Sequence, residues 1–441
     1  MNSKIILLFC LALFLSESKA QNLYFPPFSS AATWDTLAPA SLGWCQDRID
    51  TFYNFLGQEN TKAFLVLKDG KIVLEKYFST FTKDSIWYWA SAGKTITSFL
   101  VGKAQEEGYL SIQDTTSKYL GAGWTNCTIP QEDNIKIVNQ LTMTTGLDDG
   151  VADNHCTVDS CLLYLADPGT RWAYHNAPYT LLEGVLTNAT GTNINAYTTS
   201  RLKNATGMTG LWFTVDFDNI FFSTARSMAR YGLLIQNNCI WNTDTLLFDT
   251  TYIQQMTNTS QALNYSYGYL WWLNGKQSYM VPTLQTIFPG SYAPQAPIDM
   301  FSGLGKNGQI VSISPSEGLV FVRMGDSPNS PASEVTTLFC NQIWEKINDL
   351  SCSTSSDNTL GNLISGTIVY PNPTNGSFQI ELRNEKFSIQ IFDTKGKTVY
   401  QKNDLFNKTT INHGILMDGI YTIRLNALNG RSYYSKLIIS N

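Results

Sequence analysis

Apolar and polar residues group along Phe64–Phe78 (FLVLKDGKIVLEKYF) into two runs around Asp69-Gly70. That dipeptide suits the tight two-residue turn of a β-hairpin. From Ser91 to Glu107 the period changes: Ile96, Phe99, Leu100 and Ala104 recur at helical spacing until Gly108 stops the pattern. Further helices are predicted over 223–236 and 333–348, and strands over 309–314 and 318–324, separated by Pro-Ser-Glu-Gly. Strands and a helix at each end of this region predict an α+β domain, one sheet closed by both ends with helices inserted between. Residues 351–364 (SCSTSSDNTLGNLI) are rich in serine and asparagine and lack periodicity, which reads as a linker. Beyond it, short alternating runs at Phe387–Phe392, Thr398–Gln401, Gly419–Leu425 and Tyr433–Ile439 predict a small all-β module. At the other end, a lysine, the apolar run Ile5–Leu15 and Ser18-Lys19-Ala20 read as a signal peptide over residues 1–20. No later run is long enough to span a bilayer, so no transmembrane segment is expected after its removal. The expected domains are 21–350 and 365–441.

Charged residues make up only 15% of the chain and the net charge is −5, so no basic footprint for nucleic acid exists. Export permits disulfides. Eight cysteines include Cys10 of the leader, leaving an odd number. Cys156 and Cys161 are near enough in sequence to close a loop. Cys45 and Cys340 could pair if the first and last helices of the main domain pack together. With three histidines and no H-E-x-x-H, a zinc site is not expected, and no cofactor is implied.

Candidate chemistry begins at WYWASAGKTITS, Trp87–Ser98. Gly93-Lys94-Thr95 matches the end of a phosphate-binding loop, but Tyr88 stands where that loop needs its first glycine. The alternative is Ser91-Ala92-Gly93-Lys94, the S-x-x-K pattern of serine acyl-transfer enzymes. On a helix start, the spacing of three puts the Lys94 amine beside the Ser91 oxygen. By itself the pattern is weak, since Ser16 and Lys19 also satisfy it. Two later elements strengthen it: Tyr174-His175-Asn176, a Y-x-N after the Pro168-Gly169 turn, and Lys306-Asn307-Gly308, a K-x-G leading into a strand.

In that order the three elements resemble those of class C β-lactamase-like serine hydrolases, which include D,D-peptidases, esterases and 6-aminohexanoate-dimer hydrolases. The resemblance spans roughly 45–348. It is carried also by Leu141-Thr142-Met143-Thr144-Thr145-Gly146-Leu147, by Ser223-Thr224-Ala225-Arg226 with Arg230-Tyr231-Gly232, and by Tyr267-Gly268-Tyr269 with Trp271-Trp272. The wording Trp89-Ala90-Ser91-Ala92-Gly93-Lys94 is most similar to the 6-aminohexanoate-dimer hydrolase branch. The resemblance implies a β-lactamase/D,D-peptidase-like fold, an antiparallel sheet flanked by helices plus an all-helical insertion. Ser91 would be the nucleophile, and Lys94, Tyr174 or both the base. A phenolate at Tyr174 would need Lys94 and Lys306 to lower its pKa by about three units from about 10. Asn176 would orient Lys94 or hold substrate amides, and the backbone N–H groups of Ser91 and Gln309 would form the oxyanion hole. Gly308 would let the strand approach substrate.

Two departures stand out. Asn307 replaces the usual hydroxyl residue of the K-x-G, which disfavours β-lactams. His175 enlarges the middle of Y-x-N and would narrow the pocket or carry a proton. Trp172, Trp271 and Trp272 are candidate walls for an apolar substrate, and the loop 148–163 a candidate rim pinned by Cys156–Cys161. A D,D-peptidase and a non-catalytic surface binding protein are the alternatives.

The tail resembles a type IX secretion system sorting domain of a small all-β, sandwich-like kind. Val369-Tyr370-Pro371-Asn372-Pro373-Thr374-Asn375-Gly376, Asp393-Thr394-Lys395-Gly396-Lys397, Gly419-Ile420-Tyr421 and Lys436-Leu437-Ile438-Ile439 carry that likeness. It implies engagement with the secretion machinery of a Gram-negative bacterium, then release or surface attachment.

Overall fold

The computed structural model describes residues 23–28, 33–330, 336–352, 369–370, 374–375, 377–394, 396–412, 416–427 and 432–440. The leader 1–20, nearly all of the 351–364 linker, Pro371-Asn372-Pro373, Gly376 and Lys395 lie outside them. The chain divides into two compact units between Ser351 and Cys352.

The elements that position the site in the first unit are α1 (Gln46–Gln58), β1 (Thr61–Lys68), β2 (Lys71–Tyr77), β3 (Trp87–Tyr88) and α2 (Lys94–Glu106). They continue with β4 (Leu211–Val215), β5 (Asp218–Ser223), α3 (Ala225–Gln236), β6 (Trp272–Leu273), β7 (Phe301–Gly305), β8 (Gln309–Ser314), β9 (Leu319–Gly325) and α4 (Thr336–Asn348). An antiparallel sheet runs β2-β1-β9-β8-β7-β6, so the first hairpin pairs with the last strands. The β1–β2 turn has positive φ at both Asp69 (50°) and Gly70 (84°), the geometry that favours this dipeptide. Gly70 is needed there twice over, because a Cβ would lie 1.8 Å from the Tyr24 carbonyl oxygen. β8 and β9 are buried along their whole length, as expected of strands covered on both faces. Helix α3 buries ten of its twelve residues against β1, β8 and β9. Short helices fill residues 117–206 and make up the insertion.

A second, three-stranded sheet, ordered β3-β5-β4, stands beside the nucleophile. The sequence pattern did not announce it.

Cys45 is disulfide-bonded, but not to Cys340, whose thiol is free and buried in α4. That expected pairing is therefore wrong: Cys340 faces the apolar core, where burial pushes its thiol up to about 12. Cys156 and Cys161 are disulfide-bonded.

The second unit is all-β. Its long strand Ser377–Phe392 pairs along its length with Thr398–Asn412, near its start with Val369–Tyr370 and near its end with Gly419–Ala427. Ser432–Ile439 completes one connected sheet around its own core, including Phe378, Ile389, Ile423 and Leu437.

Candidate active site

Ser91 lies in a single 3-10 turn, Ala90–Gly93, that feeds α2. The turn is fixed from behind. Trp89 is fully buried, its backbone N–H donates to the Phe221 carbonyl at 2.9 Å, and its indole donates to Ser223 Oγ at 2.8 Å. Ala90, immediately before the serine, has φ of 46°, a left-handed conformation that costs an alanine energy and persists only where packing imposes it. β7 presses on the same turn: a Cβ on Gly305 would lie 2.4 Å from the Trp89 carbonyl oxygen and 3.1 Å from the Ser91 nitrogen.

Lys94 reaches back one turn. Its Nζ is 3.1 Å from Ser91 Oγ and 2.9 Å from Asn176 Oδ1, and sits 4.0 Å above the Tyr179 ring centre. No carboxylate forms an ion pair with it among the described residues, and it is 4% exposed. Burial therefore lowers its pKa to about 7, against a partial opposing pull from Asp218. Tyr174 is also buried, stacked on Trp272 at 5.9 Å. Burial raises its pKa, although hydrogen bonding with Ser91 works the other way. The Asp218 carboxylate adds to that rise, and neither Lys94 nor Lys306 offsets it, so the surroundings run against the expected phenolate. Burial thus favours the uncharged form of both groups.

Asn176 leads a chain of contacts that sequence reasoning missed. Its Nδ2 lies 3.2 Å from Asn154 Oδ1 and 3.2 Å from His155 Nε2, while His155 Nδ1 lies 2.7 Å from the Asp218 carboxylate. Asp218, His155, Asn176, Lys94 and Ser91 are thereby linked in sequence. A lone histidine beside a cysteine was the one available signal, and nothing in the pattern joined it to Asp218, 63 residues away. The Cys156–Cys161 bond closes the loop immediately after His155.

These groups open into a cavity of about 370 Å³. Ser91, Lys94, Asn176 and exposed Lys306 line it, together with Tyr88, Tyr179, Asp153, His155 and the β4–β5 turn from Asp216 to Ile220. Several expected wall residues do not. Trp172 and Trp271 are 1% and 0% exposed and pack into the core, Trp172 edge-on to Tyr267 and Trp271 stacked on Tyr231. Indoles of that size bury more apolar area in the core than at a rim. His175 is 2% exposed, with neither ring nitrogen partnered among the described residues, and burial pushes its pKa down to about 4. It is neither a pocket wall nor placed to carry a proton to it.

The Lys306–Gly308 turn is likewise turned differently from the expectation. Asn307 commits its amide to the Tyr88 hydroxyl at 2.7 Å. Gly308 faces inward, where a Cβ would meet the Arg323 guanidinium and Phe339 at 2.9 Å. Gln309 is fully buried and its side chain pairs with the Gly325 backbone, so only its own backbone remains for an oxyanion hole. Arg323, also missed, is fully buried and donates to the carbonyls of Asn307, Gly308, Glu59 and Asp326.

Comparison with known proteins agrees with this architecture. No curated protein matches the chain. Among solved structures, a 6-aminohexanoate-dimer hydrolase homologue from Bacillus anthracis superposes with TM-score 0.54 at 19% identity, over 73% of this chain and 89% of the other. The octameric penicillin-binding protein homologue from Pyrococcus abyssi gives 0.52 at 16% identity, over 90% and 96%. EstCE1, a hydrolase with promiscuous acyltransferase activity, gives 0.51 at 12%, over 68% and 97%. At such identities the likeness is one of fold. Residues 368–440 match the secretion system C-terminal sorting domain, which marks the protein for secretion or surface attachment. Residues 57–337 match the beta-lactamase family model, and the chain belongs to that family.

Proposed function

We propose that this protein is an exported serine hydrolase that cleaves ester or amide bonds through an acyl-enzyme on Ser91. The observation that carries this reading is the Lys94 amine, buried, lacking a carboxylate partner and 3.1 Å from Ser91 Oγ. Neutral Lys94 takes the Ser91 proton as Oγ attacks the substrate carbonyl. The resulting ammonium returns a proton, by way of the Tyr174 phenol, to the leaving alcohol or amine. Water then attacks the acyl-enzyme, giving its proton back along the same path and restoring Ser91. The N–H groups of Ser91 and Gln309 hold the oxyanion, a role worth about 3–4 kcal/mol per donor elsewhere. Asn176 fixes the lysine, and His155 with Asp218 fixes Asn176.

A substrate carboxylate is disfavoured in this pocket. Asp153, Asp216 and Asp218 line it, and Asn307 is bonded to Tyr88. D-Ala-D-Ala peptides and β-lactams carry such a carboxylate, so the D,D-peptidase alternative ranks below a neutral ester or amide. The sorting tail supports delivery by the type IX machinery of a Gram-negative bacterium, after removal of a signal peptide at 1–20.

Fluorophosphonate labelling tests the reading. Wild-type protein is expected to label and Ser91→Ala to remain unlabelled. Absence of labelling in both returns the chain to the binding-protein alternative.

A further inference from the structure

The β3-β5-β4 sheet has an outer face that the catalytic pocket does not use up. Residues directly opposite in an antiparallel pair point to the same side. The register sets Tyr88 and Leu211 opposite Phe222, Phe213 opposite Ile220, and Val215 opposite Asp218. One face therefore carries all seven side chains. Tyr88, Asp218 and Ile220 line the cavity beside Ser91. Leu211, Phe213 and Val215 continue that face outward and are 46%, 50% and 43% exposed. Rings mark the path: Tyr88 lies 6.2 Å from Phe222, which meets Phe213 edge-on at 5.4 Å. On the opposite face Trp212 packs into the core against Phe221 at 5.1 Å, while Thr214, nearer the turn, is exposed.

β4 is an edge strand, and exposed apolar residues on an edge are a liability that soluble proteins avoid unless something covers them. Here the face begins at the reacting serine, which identifies the cover. We propose that Leu211, Phe213 and Val215 form a shelf that binds an uncharged alkyl or aryl-alkyl chain of the substrate, so that the preferred substrates are esters or amides of medium-length apolar chains. This rests on the acyl-enzyme reading above. From Val215 to Leu211 the strand advances roughly 13 Å, room for an extended chain. The carboxylates at the shelf's inner end, Asp216 and Asp218, repel a free acid and so favour departure of the hydrolysed product.

Chain-length dependence of hydrolysis by the full-length mature protein is the test. A methylene half-buried on the shelf raises kcat/KM about twofold. From p-nitrophenyl acetate to octanoate, six methylenes longer, the rise should then reach about sixtyfold if all six lie on the shelf, and about tenfold if only half of them do. The double variant Leu211→Ser/Phe213→Ser should lower the octanoate-to-acetate ratio at least fivefold, and Phe213→Leu should largely keep it. Equal kcat/KM for both esters in wild type overturns the shelf while leaving the catalytic reading intact. A binding arm covers failure of the chemistry. N-methyloctanamide should bind Ser91→Ala protein, measured calorimetrically, with affinity falling at least fivefold when Phe213→Ser is added. Equal affinities overturn the proposal. So does a wild-type dimer, seen in sedimentation, that the double variant disperses, since the shelf would then belong to a second copy.

Discussion

At Lys94, burial and chemistry pull the same way. The native pKa near 7 lies below the ordinary lysine value, so above pH 7 the amine is neutral and available as a base. The proposed mechanism therefore predicts kcat/KM rising with pH through an acid limb near 7, read between pH 5 and 9 with a neutral ester. A flat profile over that range would remove Lys94 as the base. The same depressed pKa sets the sign for stability. The charged form is disfavoured only in the folded state, so the penalty is fully present below pH 7 and disappears above the unfolded value near 10.4. Lys94→Met should accordingly be inactive yet more stable than wild type at pH 6, by about 1–3 kcal/mol, and the gap should close by pH 10 in chemical denaturation.

His155 acts at the same scale through orientation. With Nδ1–H donated to Asp218, its Nε2 accepts from the Asn176 amide and turns that residue's oxygen toward Lys94. His155→Leu should lower kcat about tenfold or more with KM nearly unchanged, a loss of proton transfer and not of binding. His155→Gln, whose amide can both donate and accept, should recover much of it. Equal kcat values for the two variants would reduce the histidine to a spectator.

Among elements, the serine turn is held between β5 and β7, and both contacts depend on small features. Gly305→Ala would drive a methyl into the Trp89 carbonyl. Separating β7 from the turn should cost about 1–3 kcal/mol and slow fluorophosphonate labelling far more than the stability loss explains. Arg323 does for the Lys306–Gly308 turn what Trp89 does for the serine. Burial lowers its pKa to about 9, and among the described residues its hydrogen bonds go to backbone carbonyls and Thr61, not to a carboxylate. Arg323→Met leaves those carbonyls unsatisfied, with an expected loss of about 3 kcal/mol or more, measurable as a drop in melting temperature. Elements with a strong period were legible: β1 and β2 from the Asp69-Gly70 turn, α2 from Ile96 to Ala104, α3, β8 and β9. The two-residue strands β3 and β6 were not, because two residues hold no period. β4 was missed for another reason: Leu211-Trp212-Phe213 is an unbroken apolar run with no alternation to read, in which Trp212 is buried while Leu211, Phe213 and Val215 are exposed.

For the whole molecule, the break at Ser351 separates two units with independent cores. A chain limited to residues 21–355 is expected to stay folded and to label with fluorophosphonate at the full-length rate. Expressed with its leader, it should remain inside the cell envelope. Loss of labelling on truncation would show that the tail supports the hydrolase unit as well as its export.

The sequence alone determined the order of the S-x-x-K, Y-x-N and K-x-G elements, the hairpin, the long helices, the sorting tail and a loop that Cys156 and Cys161 could close, because each is written in local spacing. What only the tertiary structure decided is which side each residue faces. Trp172 and His175 lie within two residues of Tyr174 in sequence, yet they, like Trp271, turn into the core. Asp218, His155 and the Leu211–Val215 shelf are distant or unremarkable in sequence and come to the pocket through strand register and packing. Burial likewise set the direction in which Lys94 and Tyr174 shift, down for the amine and up for the phenol, since that depends on the solvent each can reach, a property of the folded molecule that no local motif carries.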